Sequence, residues 1–598
     1  MKKQILLLII LLMSVVVQSQ INKTINNLTP GSLITLLTAN ELTTINSLTL
    51  TGTIDARDFT TMRDSMPNLA VVDLTGVTIA NYYGSAGPGG KWQKDYPANM
   101  TPFSAFKNKN SLTTVSLPNS IHTIETESFI LCRNLKAINI PSSVKIIGTS
   151  AFNGCRSLTS VTIPGSVITI GADAYSNCTG LESVSIATSV KTIDAGAFSI
   201  CTSLTEINIP PSVTTIGISA FWGSDKIKSF NIPSSVTSIG KTAFSQCSAP
   251  VTVEAENPNY SSLDGVLFNK AQTVLIFCPI SKSNSYTIPL SVKKIEESAF
   301  NVCKYLTVVK LPASIDTIGI RAFYDCSDLT SINIPANIKF IGDNAFTGCM
   351  SLSSISIPNT IQSIEGSTFF RSGLSSITIP SSVKSIGNGA FYKCTWLNSV
   401  NFPNSLDTII RQDAFSYCTS LKSIQLPDSV TIIENSVFAA CYSLTSVSIP
   451  AKVNFIGDRV FSGCTKLTSI TAYPKTPVKL FLNVFNGVDK TTSTLYVPAE
   501  SLELYKLATI WKDFLKIEAI IPLATKNIYN HKITVWPNPA KDMLTINGDQ
   551  GVVSIYNANG KLEITHSLQV DKMVNISSLA SGMYVVVVNE ERFKIIKE

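Results

Sequence analysis

The sequence from Leu158 to Cys178, LTSVTIPGSVITIGADAYSNC, decides the fold of this 598-residue chain, because close copies of it follow one another along most of the chain. Counted from its leucine, the repeated unit is L-x-x-V/I-x-I-P-x-S-V-x-x-I-G-x-x-A-F-x-x-C-x-x. Twelve of the thirteen cysteines occupy the same position in the unit, and Cys155, Cys178 and Cys201 are spaced by 23 residues. A fixed period in the twenties is typical of a solenoid, in which each repeat forms one coil.

The first half of the unit has the pattern of a β-strand that faces a core. Val161 and Ile163 alternate with Thr162, which is the period of two that a half-buried strand shows. Pro164 then ends the strand, because proline has no N–H to donate to a neighbouring strand. Equivalent strands of successive coils are expected to pair in parallel, about 4.8 Å apart.

The second half of the unit adds further apolar positions. We predict that Val167 and Ile170 point inward and that Gly171 permits a tight turn before Ala174. Most coils have phenylalanine where this one has Tyr175, and these rings are expected to form an aromatic stack in the core along the whole array. The predicted stack contains Phe129, Phe152, Phe198, Phe221, Phe244, Phe300, Phe323, Phe346, Phe391, Phe415, Phe438 and Phe461.

This unit resembles the BspA-like class of bacterial leucine-rich repeats, from about Leu28 to Ile520. The fold we predict is mainly β with short helical or 3-10 turns: a leucine-rich repeat solenoid of coils of about 23 residues, followed by a small immunoglobulin-like β-sandwich. A hydrophobic content of 44% against 15% charged residues fits a chain that buries one continuous core. A net charge of +7, spread over so long a molecule, does not indicate a nucleic-acid partner.

The two ends and one irregular unit interrupt the array. Lys2, Lys3 and the apolar run 5–17 are typical of a signal peptide, since the run is shorter than the roughly 20 residues of a membrane span. Residues 257–290 contain two predicted hairpin turns, at 264–265 and 269–272, and are expected to leave the solenoid axis as a flap. The predicted segments are a signal peptide at 1–19, an N-terminal cap with degenerate repeats at 20–111, the repeats at 112–467 with a long insertion-bearing unit at about 250–305, a C-terminal cap at 468–520, a linker at 521–527 and a separate domain at 528–598.

The recurring cysteine allows three interpretations: disulfides, metal ligands or buried thiols. Equivalent Cα atoms about 5 Å apart would be close enough for a disulfide, but stacked side chains point the same way, and their Cβ atoms stay too far apart. A zinc ion would need ligands that converge on one point, whereas a ladder spreads them along a line. Ser224 and Ser372 replace cysteine in two coils, so small size is the apparent requirement. We favour buried, unbridged thiols and predict no metal site.

The sequence offers little catalytic chemistry. The three histidines, His122, His531 and His566, lie outside any nucleophile motif, and no phosphate-binding, dinucleotide-binding or zinc-protease motif occurs. Several carboxylates replace the glycine of the I-G pair, where a role in the turn is favoured over a glycosidase pair facing across a cleft. These residues are Glu125, Asp194, Glu296, Glu365 and Glu434. We therefore predict neither an enzyme nor a cofactor.

The outward strand positions are the best candidates for a binding face. They form a ladder of short, uncharged polar side chains, which suits a glycan or an extended extracellular protein; the alternative is that such side chains merely suit an exposed strand. The candidate residues are Asn139, Thr162, Ser185, Asn208, Asn231, Asn333, Ser356, Thr378, Asn401 and Gln425. Aromatic residues offer a second possible contact, in the insertion at Tyr260, Phe268, Phe277 and Tyr286 and in a Gly-rich loop at Tyr82, Tyr83, Trp92 and Tyr96.

The last seventy or so residues have a different composition, with short apolar strands between turns. They contain a set of motifs in a fixed order, which include Pro537, Asn538, Pro539, Gly582, Tyr584, Lys594 and Lys597. With these motifs, the segment resembles the C-terminal sorting domain of the type IX secretion system of Bacteroidota. The resemblance implies passage through the periplasm and outer membrane, removal of this domain by a surface sortase, and attachment of the mature protein to lipopolysaccharide or its release.

Together these observations predict a secreted or cell-surface protein whose solenoid carries the function. Our first hypothesis is a non-enzymatic binding protein or adhesin for a glycan or an extracellular protein, monomeric and without a transmembrane segment in the mature chain. The alternative is a structural surface-layer or spacer protein without a discrete ligand. A surface enzyme is disfavoured by the missing catalytic groups.

Overall fold

The computed structural model describes residues 21–404, 409–520, 534–547, 551–568, 572–588 and 591–598. The chain divides between Glu518 and Ala519 into two compact units. The predicted signal peptide and linker lie outside the described residues. None of the helices in the described ranges combines the length and the apolar character that a membrane crossing requires.

The first strand of each coil forms a ladder of parallel strands, as the alternating pattern predicted. Val161 pairs with Val184, and Ile163 with Ile186, so the apolar residues of successive coils align. The ladder is completed at the strand ends by Pro-x-Ser turns, where Ser166 donates to the carbonyl oxygen of Val144 at 2.6 Å. Its strands are Thr114–Ser116, Ala137–Asn139, Ser160–Ile163, Ser183–Ile186, Glu206–Ile207, Phe230–Ile232, Val251–Val253, Asn284–Thr287, Leu306–Lys310, Ser331–Ile332, Ser376–Thr378, Ser399–Asn401, Ser423–Gln425, Ser446–Ile449 and Ser469–Ala472.

A second ladder of parallel two-residue strands, which the sequence pattern did not predict, lies just before the I-G glycine. Thr169 pairs with Thr192, and Ile170 with Ile193, so this ladder keeps the same register from coil to coil. Its strands are Met100–Thr101, Thr123–Ile124, Ile146–Ile147, Thr169–Ile170, Thr192–Ile193, Thr215–Ile216, Ser238–Ile239, Lys294–Ile295, Thr317–Ile318, Phe340–Ile341, Ser363–Ile364, Ser385–Ile386, Ile409–Ile410, Ile432–Ile433 and Phe455–Ile456.

The I-G glycine has a different role from the tight turn that we expected. Positive φ angles occur later in the coil, at Asp173 (53°) and Asn177 (58°), and not at Gly171. A Cβ atom on Gly171 would lie 2.8 Å from the carbonyl oxygen of Ile147 and 2.9 Å from the carbonyl carbon of Gly148. Glycine is therefore required because the backbones of adjacent coils approach closely at this point.

The predicted aromatic stack is present. Phe129 and Phe152 stack with ring centroids 5.2 Å apart and an angle of 5° between the ring planes. Phe106, Tyr175, Phe369 and Phe485 extend or complete the series. The stack is interrupted at the insertion, where Phe244 meets Phe277 and Tyr286 meets Phe300 at tilted angles. The prediction was therefore right for the coils but wrong in making the stack continuous along the array.

The insertion forms the predicted hairpins but is not a flap. The insertion contains the strands Tyr260–Leu263, Val266–Asn269 and Val274–Phe277. Each strand pairs antiparallel with the next one, and the last strand also pairs in parallel with Lys294–Ile295 of the second ladder. Leu267 and Phe268 are fully buried. The apolar character of these strands explains the correction, because an exposed flap would leave their side chains in water.

Both ends of the solenoid are covered. At the N-terminal end, strands Asn22–Leu28, Ser47–Ile54 and Val71–Ile79 extend the first ladder. The short helices Leu33–Leu36, Ala39–Thr44, Ala56–Thr60 and Thr61–Ser65 connect these strands, and a hairpin of Tyr82–Tyr83 and Asp95–Tyr96 follows, with the turn Gly90–Trp92 between its strands. At the other end are strands Thr494–Pro498 and Lys516–Ile520 with the helical segments Ala499–Ser501, Leu502–Leu507 and Trp511–Asp513.

Cap packing explains the aromatic residues at the C-terminal end. Trp511 is 1% exposed and meets Phe485 edge to face, with ring centroids 5.5 Å apart. Its indole N–H donates to the carbonyl oxygen of Val478 at 2.8 Å, so the polar end of the ring is satisfied. Tyr505 likewise donates to the carbonyl oxygen of Pro474.

The C-terminal unit is an antiparallel β-sandwich. One sheet contains Thr534–Trp536, Met543–Asn547 and Met573–Asn575, and the other contains Gly551–Asn557, Leu562–Leu568, Gly582–Val588 and Glu591–Lys597. Leu544 and Ile546 of the first sheet share one buried cluster with Val553, Ile555 and Val586 of the second. This arrangement agrees with the predicted immunoglobulin-like sandwich.

Candidate binding face

The ten candidate residues of the binding face, which we call the strand face, are all exposed. Strand pairing places Thr162 beside Ser185, and Thr378 beside Asn401, on adjacent rungs of the first ladder. Asn208 and Asn333 follow directly after a strand, and Ser356 lies in irregular backbone. Where the strands pair, the face presents hydroxyl and amide groups at the regular spacing of parallel strands, about 4.8 Å.

Some amides of the strand face also serve the backbone. Asn139 accepts a hydrogen bond from the N–H of Leu117 at 2.8 Å, and Asn333 both accepts from the N–H and donates to the carbonyl oxygen of Leu311. The strand on the preceding coil ends one residue before each of these leucines, so each asparagine extends the ladder by one step. The hydroxyl-bearing members Thr162 and Ser185 are exposed and lie mid-strand.

The cysteine column is a structural element of the core. All thirteen thiols are buried and unbridged. In the regular coils the thiol donates to the carbonyl oxygen of the stacked aromatic residue one coil earlier, as Cys155 does to Phe129 at 3.2 Å and Cys178 to Phe152 at 3.1 Å. Ser224 makes the same contact, to Phe198, at 2.7 Å. The position therefore requires a donor as well as small size, which the serine replacements could have indicated.

Burial makes these thiols chemically quiet. It raises the pKa of Cys132, Cys178, Cys394 and Cys464 to about 12, because the thiolate loses its hydration in the core. The thiolate is the reactive form, so the column has neither the charge nor the access of a catalytic cysteine.

The carboxylates at the glycine position bond to the turn, as their predicted role requires. Asp194 accepts from the N–H of Ala195 at 2.7 Å, and Glu434 from the N–H of Gln412 at 2.8 Å. Glu296 is paired with Lys294 at 2.7 Å. Within the described ranges, no three metal-binding side chains come together. His122 contacts the hydroxyl of its neighbour Thr123, and His531 lies outside the described residues.

The aromatic residues that we considered as contacts divide into two groups. Those of the insertion do not form a surface site, because Phe268, Phe277 and Tyr286 are buried. Tyr260 is partly buried, and its hydroxyl oxygen accepts a hydrogen bond from the N–H of Ile239 at 2.8 Å. In the Gly-rich loop, Tyr96 is also buried, whereas Tyr83 and Trp92 are 78% and 86% exposed.

A second surface, which the sequence analysis missed, lies on the turn before the cysteine. Phe370 and Tyr392 stack with ring centroids 5.4 Å apart, and Tyr417 meets Tyr392 edge to face at 5.6 Å. The ammonium of Lys393 lies 5.2 Å from the Tyr392 centroid and 5.6 Å from that of Tyr417. We call these residues together with Arg371 the aromatic edge. Aligning the two residues after the core phenylalanine of each coil would have found it.

The sorting motifs come together in the C-terminal unit. The side chain of Asn538 donates to the carbonyl oxygen of Lys594 at 3.0 Å and accepts from the N–H of Ile596 at 2.8 Å, so it ties the Pro-Asn-Pro segment to the last strand. Tyr584 donates to the carbonyl oxygen of Ala580 at 2.9 Å, and Lys597 is 8% exposed near Asp542. Gly582 opens the strand that pairs with the last one.

The BspA type leucine rich repeat region matches residues 100–499 without a gap, in the overlapping stretches 100–194, 122–251, 169–284, 274–398 and 384–499. This chain belongs to the BspA-type leucine-rich repeat proteins. The secretion system C-terminal sorting domain matches residues 534–598. This BspA-type protein is therefore exported by type IX secretion to the cell surface or the extracellular space.

Solved structures of other leucine-rich repeat proteins are similar to it. A protein from Eubacterium ventriosum is 24% identical, with a TM-score of 0.45 over 59% of this chain and 88% of that one. A protein from Bacteroides ovatus is 22% identical, with a TM-score of 0.31 over 73% and 86%. A leucine rich cell surface protein from Faecalibacterium prausnitzii is 25% identical, with a TM-score of 0.30 over 66% and 86%. No curated protein matches this chain.

Proposed function

We propose that this BspA-type protein is a non-enzymatic adhesin whose strand face binds an extracellular glycan. The observation that carries the proposal is the set of exposed hydroxyl and amide groups that paired strands hold side by side on successive coils, such as Thr162 beside Ser185 and Thr378 beside Asn401. A polymer with its own regular spacing of hydroxyl groups can meet many rungs at once.

The chemistry of the strand face favours a glycan over an extended protein. Its ten members are serine, threonine, asparagine and glutamine, without the tryptophan, tyrosine and arginine that dominate the binding energy of protein interfaces. Each exposed polar contact contributes little by itself. Simultaneous contacts along several coils raise the apparent affinity, because every further contact is intramolecular once the first has formed.

The proposal is tested by incubating the protein recovered from the cell surface with glycan and extracellular-matrix protein arrays. We expect saturable binding to one class of glycan and no turnover of the polysaccharide. Saturable binding to matrix proteins alone would replace the glycan with an extended protein ligand. Release of sugar fragments would contradict the non-enzymatic assignment.

A structural spacer without a discrete ligand is the second candidate, and the asparagines favour it. Asn139 and Asn333 form hydrogen bonds to the backbone of the preceding coil, so these members of the strand face stabilise the solenoid whether or not a ligand binds. A spacer predicts no saturable binding on either array, so the same experiment separates the two functions.

We further propose that the C-terminal sorting domain is removed by a surface sortase after export. Support comes from the compact division between Glu518 and Ala519 and from the match of residues 534–598 to the sorting domain. The mass of the protein recovered from the cell surface is expected to lack this unit. Recovery of the complete C-terminal unit at the surface would contradict the proposal.

A further inference from the structure

The aromatic edge is an exposed surface of unusual composition for this protein. Tyr417 is 40% exposed, and Arg371 and Lys393 are exposed beside it. On the turns of the same and neighbouring coils, Met350, Trp396 and Tyr442 are 47%, 67% and 45% exposed. A patch of exposed apolar side chains on adjacent coils is the kind of surface that marks interaction sites in soluble proteins.

The aromatic edge carries two cations, Arg371 and Lys393. Neither Arg371 nor Lys393 forms an ion pair within the part of the chain that the structure describes, although Lys393 lies over two tyrosine rings. Burial raises the pKa of Tyr392, and the nearby Tyr417 and the carboxylate of Asp413 raise it further. That carboxylate accepts a hydrogen bond from the side chain of Gln412. The two cations are therefore available to an acidic partner.

The ring geometry favours a protein partner over a sugar. A sugar ring stacks on a free aromatic face, but Tyr392 already packs against two other rings, stacked with Phe370 of the preceding coil and edge to face with Tyr417 of the following coil. The ammonium of Lys393 lies near both tyrosine rings, so the surface combines aromatic and cationic groups. Aromatic residues, methionine and arginine are the residues enriched at the centres of protein interfaces.

The edge is large enough for the centre of an interface. Met350 and Tyr442 lie on coils that are four steps apart along the solenoid. At the spacing of parallel strands this separation is roughly 20 Å. A typical protein interface covers about 800 Å² on each partner, and its hot spots cluster near the middle.

We propose that the aromatic edge is a docking site for a protein whose surface presents carboxylates beside apolar side chains. This site is separate from the strand face, and it does not depend on the glycan function. It lies on the turn between the second and first ladders, whereas the strand face lies on the first ladder itself.

The test uses a phage-displayed random peptide library, which is selected for binding to the protein recovered from the cell surface. We expect enriched peptides that contain aspartate or glutamate next to an apolar residue. Their affinity should fall on the order of thirtyfold for the double variant Tyr392→Ser, Lys393→Ser, the loss typical of a hot spot. The single variant Lys393→Glu, at an exposed position where folding is not at risk, should also weaken binding.

Two controls make the outcome decisive. Tyr324 occupies the equivalent turn position of an earlier coil, so Tyr324→Ser should leave peptide binding unchanged. A strand-face variant should also leave it unchanged. The proposal is overturned if no peptide prefers the wild-type edge to the double variant, or if the enriched peptides lack acidic residues. Either result leaves the glycan proposal untouched, because glycan binding is scored on the arrays.

Discussion

At the scale of single residues, the cysteine position shows how much chemistry one small side chain can contribute. The carbonyl oxygen of Phe152 accepts from the N–H of Cys155 in its own coil and from the thiol of Cys178 in the next. Each thiol thus joins two coils through one carbonyl. The sequence predicted burial and small size from the serine replacements, but the acceptor belongs to another coil and could not be predicted from spacing alone.

Replacing Cys178 tests this dual requirement. Cys178→Val adds bulk to a fully buried site and removes the donor, so we expect a loss of about 1–3 kcal/mol in the free energy of unfolding. Cys178→Ser keeps a donor to the carbonyl oxygen of Phe152 and should lose less. Urea denaturation measures both values, and a serine variant less stable than the valine variant would contradict the donor role.

The raised pKa values predict how the cysteines respond to pH. Folded Cys178 has a pKa of about 12, whereas an unfolded cysteine has one of about 8.5. The buried thiol therefore contributes stability that is fully present below about pH 8.5 and is lost as the pH rises toward about 12.

Labelling with iodoacetamide measures whether the thiols of the folded protein are protonated and inaccessible. At pH 8 the folded protein should remain unlabelled, and all thirteen cysteines should react once denaturant is added. Rapid labelling of the folded chain would show accessible thiolates. Cysteines that stay unlabelled in denaturant would instead show disulfides.

At the scale of elements, the first ladder was predictable and the second was not. Alternation at Val161, Thr162 and Ile163 gives a clear period of two, and Pro164 marks its end. Strands of two residues such as Thr169–Ile170 are too short to show a period. The strand face follows from the first ladder and could be named residue by residue, whereas the aromatic edge depends on packing between rings of different coils.

The close approach at the I-G glycine predicts a contrast between two alanine variants. In Gly171→Ala the new Cβ would lie 2.8 Å from the carbonyl oxygen of Ile147, so we expect a loss of more than about 2 kcal/mol. Gly165→Ala meets no atom within 4 Å and has no positive φ, so its stability should change by less than about 1 kcal/mol. Denaturation midpoints compare the two, and equal losses would contradict the close-approach explanation.

At the scale of the whole molecule, the insertion separates two hydrophobic cores. Leu267 and Phe277 belong to the cluster of the N-terminal coils, and Val266 and Phe268 to that of the C-terminal coils. Neighbouring side chains of one short strand thus face different cores, since successive residues of a strand point to opposite sides. The hairpins were predictable from their turns, but this alternation between two cores was not.

Two cores predict two regions of separate stability, because a repeat array is stabilised by contacts between neighbours. Phe198→Ala removes a buried ring and should cost about 3–5 kcal/mol. We expect hydrogen exchange to accelerate in residues 112–251 and to stay unchanged in residues 300–467. Phe346→Ala should give the reverse pattern. An equal acceleration of hydrogen exchange on both sides of the insertion would contradict two separately stabilised cores.

The central claim is that the strand face holds the ligand. The most direct measurement compares two matched double variants in their affinity for the glycan that binds most tightly on the array. Thr162→Lys with Ser185→Glu blocks the strand face with an opposite-charge pair that adjacent strands tolerate. Thr169→Lys with Thr192→Glu places the same pair on the second ladder. We predict that the first variant weakens glycan binding by about tenfold or more while the second leaves it unchanged. Equal affinities of both variants and the wild-type protein would contradict the claim.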